Sequence, residues 1–161
     1  MPRRKAEAGL EPNRRSELLH AAARLFVEKG FAATTTRDIA DAVGMRSGSP
    51  FYHFRSKQEL LKEAILDGLA AGQARISAAS AGIADPVQRL RVMVRTYLAT
   101  VLDVNCTSPM LLSETRSLDV DERAEITAAF DSYQAPWQAT LEELAACGRI
   151  ASAAAPLRLL L

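Results

Sequence analysis

The sequence predicts an all-α fold, on three observations. Alanine and leucine dominate the 161 residues, with glycine and proline modest at 8 and 7. No window alternates apolar and polar residues long enough to make a strand. Apolar residues recur instead at three- and four-residue steps, between Ser, Thr or Asp caps and glycine stops. The same composition narrows the function classes. Cys106 and Cys147 have no metal-ligand spacing, so no metal or other cofactor is expected, and both are expected as buried structural thiols. No apolar run reaches the roughly 18 residues a membrane span needs, and MPRRKAEAGL has no signal-peptide core, so a cytoplasmic chain is expected. No Ser-His-Asp or Cys-His pattern is present, and the two histidines, His20 and His53, both fall in the N-terminal third, so an enzyme is not expected.

The elements follow in order. Residues 1–12, with Arg3, Arg4 and Lys5 and no periodicity, are expected to form a disordered basic arm. From Asn13, the positions of Leu18, Ala22, Leu25 and Phe26 make an amphipathic helix that Gly30 stops. In TTTRDIADAVG, Thr35 or Thr36 can cap a short helix, Asp38 has capping-box spacing from Thr35, and Gly44 closes the element, with Ile39, Ala40 and Val43 inward. After a turn too short for antiparallel packing, MRSGSPFYHF makes a second short helix, capped by Ser47 or Ser49. Pro50 is tolerated in its first turn, and Phe51 and Phe54 point to the core. Ser56 and Glu59 have the reciprocal capping-box spacing at the head of a helix that runs to about Gly82 on Leu60, Leu61, Ala64, Ile65 and Leu69. Asp85-Pro86 opens a helix to about Val104, Ser108-Pro109 a short one to about Leu118, and Asp119 to Asp121 a long one to about Cys147, which Pro136 should kink.

Charge is uneven along this order. Residues 1–62 carry 12 Lys and Arg against 7 Asp and Glu, a net +5, and residues 63–161 carry 8 against 12, a net −4. A basic end suits a polyanionic partner, and equally a solvated tail. Residues 35–57 tip the balance: small Ala40, the Gly44 turn, and apolar Val43, Met45, Phe51 and Phe54 set two short helices at a wide angle and present the second outward. A helix projected in this way fits the major groove, with Arg46, Ser47, Gly48, Ser49, Tyr52 and His53 facing base edges. Thr36, Arg37 and Lys57 stand at helix starts, where phosphate is favoured.

TTTRDIADAVGMRSGSPFYHFRSKQELL resembles the DNA-binding signature of the TetR family, and the likeness covers roughly residues 14–70. It implies an N-terminal three-helix helix-turn-helix domain over 13–58 and, over 59–161, an antiparallel helical ligand-sensing and dimerisation domain. It also implies that residues 47–54 are the recognition helix and that Thr36, Tyr52, His53 and Lys57 contact DNA, and Thr35, at the same helix start, joins the DNA-binding candidates. Pro50 departs from the commonest form of the signature and bears on base preference. Family members run some tens of residues further and dimerise through their last two helices, so a C-terminally truncated chain or an incomplete dimer surface is expected.

The segment from Ser108 to Ile150 is similar to the sensing halves of repressors of sterol and fatty-acid breakdown, some of which respond to acyl-CoA thioesters. Met93, Tyr97, Val101, Met110, Leu111, Phe130, Tyr133 and Trp137 fall at helical spacing on three helices. As core they need no further explanation, and as a set they are the candidate ligand contacts, with Glu114 as a carboxylate that must find a partner if buried. The expected function is therefore that of a sequence-specific DNA-binding transcriptional regulator. It would be a homodimeric repressor on a pseudo-palindromic double-stranded operator, released by a small hydrophobic or acyl-CoA-type inducer. The alternative is a non-catalytic helical protein-interaction module.

Overall fold

The computed structural model describes residues 12–45, 54–103 and 112–152, and these are helical throughout, with no strand among them. Helix α1 (Pro12–Lys29) begins on proline, whose missing N–H matters least in a first turn. It buries Leu18, Leu19, Ala22, Leu25 and Phe26. Gly30, at φ 82°, ends it where the sequence places the stop, and its N–H donates to Phe26 O at 3.0 Å.

Helix α2 (Thr36–Ala42) is fixed by a complete capping box on Thr35 and Asp38, and it turns Ile39 and Ala40 wholly inward. Gly44, at φ 66°, takes the left-handed turn that closes it. Residues 46–53, which carry the expected recognition helix, lie outside the described residues, as do the basic arm over 1–11 and the 108–111 start of the short helix.

Helix α3 (Lys57–Ser80) is capped by Ser56, whose side chain accepts from Glu59 N at 3.0 Å. The expected box closes one residue early, because the Glu59 carboxylate accepts from Arg55 N instead of from Ser56 N. Helix α4 (Pro86–Val101) starts as expected, with Asp85 accepting from Val87 N and Gln88 N. The expected short helix is a 3-10 helix over Leu112–Ser117, tightened by i to i+3 pairing, and Leu118 N donates to Thr115 O at 3.0 Å.

Helix α5 (Val120–Ala146) begins on a second complete capping box, Asp119 with Glu122. It continues through Pro136 as one helix. Proline has no N–H for the carbonyl four residues back, Ser132 O. Gln73 Nε2, on α3, donates to that oxygen at 3.3 Å. Cys147 corrects an expectation: it is exposed at the C-cap of α5, where the chain turns at Gly148, instead of buried.

One apolar cluster joins α1, α2, α3 and α5. It contains α1, Phe31, Ile39, Phe54, the Leu60-to-Ile65 face of α3, and then Leu118 and Ile126 from the start of α5. Ion pairs of 2.9 Å from Lys62 to Glu125 and 2.7 Å from Arg89 to Glu143 tie α5 to α3 and to α4. The second pair, with Met93 against Thr140 and Tyr97 against Trp137, shows α4 and α5 running antiparallel.

The caps and the Pro136 site each make a measurable contribution to stability. Thr35→Ala should lower unfolding free energy by about 0.5–2 kcal/mol in a urea titration. Bonds from the Thr35 hydroxyl and N–H, and then from Lys29, hold the Asp38 carboxyl down from 3.8 to about 2. A depressed folded value gives stability that is present above the unfolded value, so this contribution should be complete above about pH 4 and fade towards pH 2, and Asp38→Asn should remove that dependence. Gln73→Ala should cost about 0.5 kcal/mol in the native background and close to nothing in Pro136→Ala, where an amide N–H is restored to Ser132 O; equal costs in both backgrounds would refute the link.

Candidate functional site

Three consecutive threonines set up the first face. Thr34 is fully buried, and its hydroxyl donates to Gly30 O at 2.8 Å and lies 3.1 Å from Leu25 O, so it pins the loop that follows α1. Thr35 is the cap of α2, with both its N–H and its hydroxyl engaged by Asp38. Thr36 opens α2 half-buried. Thr34 was not among the sequence candidates, because a TTT run does not reveal which member faces inward.

Arg37 extends into solvent with its side chain 79% exposed, at 3.9 Å from Asp41, a pairing loose enough to yield to another anion. Lys29 reaches Asp38 at 3.2 Å. Lys57 is placed differently from what a helix-start position suggests. Its ammonium turns back to the α1–α2 loop, donating to Phe31 O at 2.7 Å and Thr34 O at 2.9 Å, with Ala32 O at 3.5 Å and the Phe31 ring centroid at 4.3 Å. Arg15, which the sequence reading also passed over, bonds Glu63 at 2.7 Å and lies 5.0 Å over the Phe54 ring, locking α1 to the start of α3. Arg46, Ser47, Gly48, Ser49, Pro50, Tyr52 and His53 lie outside the described residues.

The second face lies between α4 and α5. Tyr97 and Trp137 meet edge-on with centroids 6.0 Å apart, and Phe130 and Tyr133 stack at 6.2 Å. Met93 is buried at 1% exposure, with its sulfur 3.6 Å from the Thr140 hydroxyl, so it is core. Phe130 is buried too, whereas Tyr97, Val101, Tyr133 and Trp137 are half-buried. Trp137 Nε1 is shielded from solvent and has no hydrogen-bond partner among the described residues. Glu114 is half-buried on the 3-10 helix, and Met110 and Leu111 lie outside the described residues.

Helix α3 closes against this face at Gly72, where an added Cβ would stand 3.2 Å from the Tyr133 ring. Sequence periodicity missed an open groove of about 630 Å³ on the outer side of α4, lined by Leu90, Arg91, Val94, Arg95, Leu98 and Ala99. Helix α4 is apolar on two sides, and periodicity assigns only one of them to the core.

Residues 18–64 match the family model described as bacterial regulatory proteins of the tetR family, and residues 83–160 match the tetracyclin repressor-like C-terminal domain. The repressor KstR2 of Rhodococcus jostii is 34% identical over 133 residues, covering 80% of this chain and 64% of the repressor. The KstR2 match in Mycobacterium tuberculosis is 44% identical over 52% of this chain but covers only 42% of the relative, so the chain spans less than two thirds of these curated relatives. AibR, solved with isovaleryl coenzyme A and operator DNA, superposes with a TM-score of 0.74 at 27% identity, covering 85% of this chain and 75% of AibR. The superantigen PfiT superposes at 0.76 with 34% identity, covering 85% of this chain and 73% of PfiT. With both halves matched in order on an all-helical fold, the chain belongs to the TetR family of bacterial regulatory proteins.

Proposed function

We propose that the chain is a sequence-specific DNA-binding transcriptional regulator, a repressor that leaves its operator when a small hydrophobic or acyl-CoA-type ligand binds. The observation that carries this reading is the match of residues 18–64 to the family's DNA-binding half, laid over a capped α2 and a glycine turn. In it, Arg46, Ser47, Gly48, Ser49, Pro50, Tyr52 and His53 address base edges, while Thr36 and Arg37 address phosphate. Two protomers would place these segments in major grooves about 34–36 Å apart on a pseudo-palindrome, or at a multiple of that spacing.

For the ligand, the supporting feature is the Tyr97–Trp137 pair, which offers an apolar wall and one unpartnered indole N–H, a donor suited to a thioester or other carbonyl oxygen. The isovaleryl coenzyme A bound by AibR and the ketosteroid regulation named for KstR2 fit the same class of apolar, carbonyl-bearing ligand. A second reading, a non-catalytic helical protein-interaction module, is favoured by PfiT, a superantigen on the same fold.

Salt separates the two. If about four phosphates are neutralised, operator affinity should fall about a hundredfold between 50 and 200 mM salt, by counterion release. Fluorescence anisotropy on duplexes selected by the chain from a random pool checks this, and a pool that yields no preferred duplex would favour the interaction module. In the same assay Arg46→Ala or Tyr52→Ala should lower operator affinity by about 1–3 kcal/mol and leave random duplex unaffected.

Trp137 is the chain's single tryptophan, so its emission reports on the sensor face alone. A panel of short and long acyl-CoA thioesters should shift that emission and lower operator affinity about 5- to 150-fold. Trp137→Phe should weaken the ligand effect about tenfold while sparing DNA affinity. An emission and an operator affinity both unmoved by the whole panel would rule out this ligand class.

A further inference from the structure

We infer that Lys57 is a positioning residue of the DNA-binding unit, not a phosphate contact: its ammonium, caged by carbonyls of the α1–α2 loop, holds α2 and the start of α3 in one fixed relation. The inference rests on the DNA-binding reading above. An ammonium has three donors and no acceptor. In Lys57 they meet Phe31 O at 2.7 Å and Thr34 O at 2.9 Å, with Ala32 O at 3.5 Å, and the Phe31 ring lies beneath the nitrogen at 4.3 Å. Two of the three donors are held by well-placed carbonyls, and a phosphate oxygen would have to compete for the third with Ala32 O and the Phe31 ring. Arg37, by contrast, has its guanidinium in solvent and only a loose partner.

Charge placement agrees with the geometry. Lys57 is the first residue of α3, where a positive side chain opposes the helix dipole. Its stem carries the charge away from that end to carbonyls just beyond the C-terminus of α1, where a cation is favoured.

The cage also touches the residues that fix α2. Thr34, whose carbonyl it binds, is fully buried and bonded to Leu25 O and Gly30 O, and the next residue is the cap of α2. Lys57 thus joins the first residue of α3 to the residue preceding that cap. A displacement of α3 along its axis therefore reaches the loop that carries the α2 cap through direct bonds, as well as reaching α2 through the apolar core.

Lys57→Met keeps the stem and removes the donors, and Lys57→Arg keeps a phosphate-binding charge in a planar fork that does not fit three converging carbonyls. Each variant of the 161-residue chain is compared with the wild type in urea unfolding without DNA, and in salt titrations on a duplex selected by the wild type and on a random duplex, at a temperature where all are folded. In both variants the unfolding midpoint should fall. Affinity for the selected duplex should drop about tenfold, random-duplex affinity should hold, and the salt slope should stay that of the wild type.

A phosphate contact gives a different set of results. The slope would fall by about 0.9 in Lys57→Met, both duplexes would weaken together, Lys57→Arg would bind as the wild type does, and free-protein stability would be unmoved; that set overturns the inference. Unchanged selected-duplex affinity in folded Lys57→Met overturns it as well. A Lys57→Met chain that fails to fold supports the cage, since a side chain that touches only DNA leaves the free protein's stability alone. A wild-type chain that selects no duplex overturns the DNA-binding reading, and the unfolding comparison still decides the cage.

Discussion

Helix α3 is shared between two packing environments, and the rest of the structure is arranged around that constraint. At one end Leu60, Leu61, Ala64 and Ile65 are buried in the cluster with α1 and Ile39 of α2. At the other, Gly72 and Gln73 lie against Tyr133 and Ser132 of α5. A helix of 24 residues spans about 36 Å, so one continuous helix runs from the cluster with α1 and α2 to the Tyr133 face of α5. The two halves matched by family models are therefore not independent packing units, and Leu118 and Ile126 carry the start of α5 into the same core.

The polar groups left over by that apolar packing decide how the joints are made. Buried or helical carbonyls without a partner are costly, so each break in the backbone ladder must find a donor. Gly30 and the loop after it expose carbonyls, and Thr34 and Lys57 occupy them. Pro136 leaves Ser132 O without its helical donor, and Gln73 supplies one from across the interface. The same requirement that lets each helix end also ties it to a neighbour, and it does so at both ends of α3.

This logic explains what could be read in the residues. Caps are local, and the boxes at Thr35–Asp38 and Asp119–Glu122, with the stops at Gly30 and Gly44, were legible because a three-residue spacing or one glycine determines them. Ser56 and Glu59 were legible by half, since Glu59 has a choice between two adjacent N–H groups and the Arg55 turn decides it. Lys57 was placed correctly on its helix, yet a four-carbon stem reaches in several directions and only the folded loop shows which carbonyls receive it. Met93 and Tyr97 were put on the right face of α4, whereas the groove on its other side was not, because the apolar pattern cannot say which of two faces gains a cover. The residues expected to face base edges were read from pattern alone and lie outside the described segments.

Buried side chains hold α3 towards both of its ends. Leu61 and Ile65 have 0% and 1% exposure within the cluster, so displacing them from their neighbours costs on the order of 1.5–3 kcal/mol per side chain in lost burial. Towards the other end Ile76 is buried at 3% exposure, Gln73 bonds Ser132 O and Gly72 closes against the Tyr133 ring. On the proposed function, a ligand that prefers one arrangement of Tyr133 and Trp137 over another would bear on α3 where Gly72 meets the Tyr133 ring. With buried side chains towards both ends, α3 would then respond as one body and not by bending at either packing site. On the inference drawn for Lys57, its bonds to the α1–α2 loop would carry such a displacement to the residue that precedes the cap of α2.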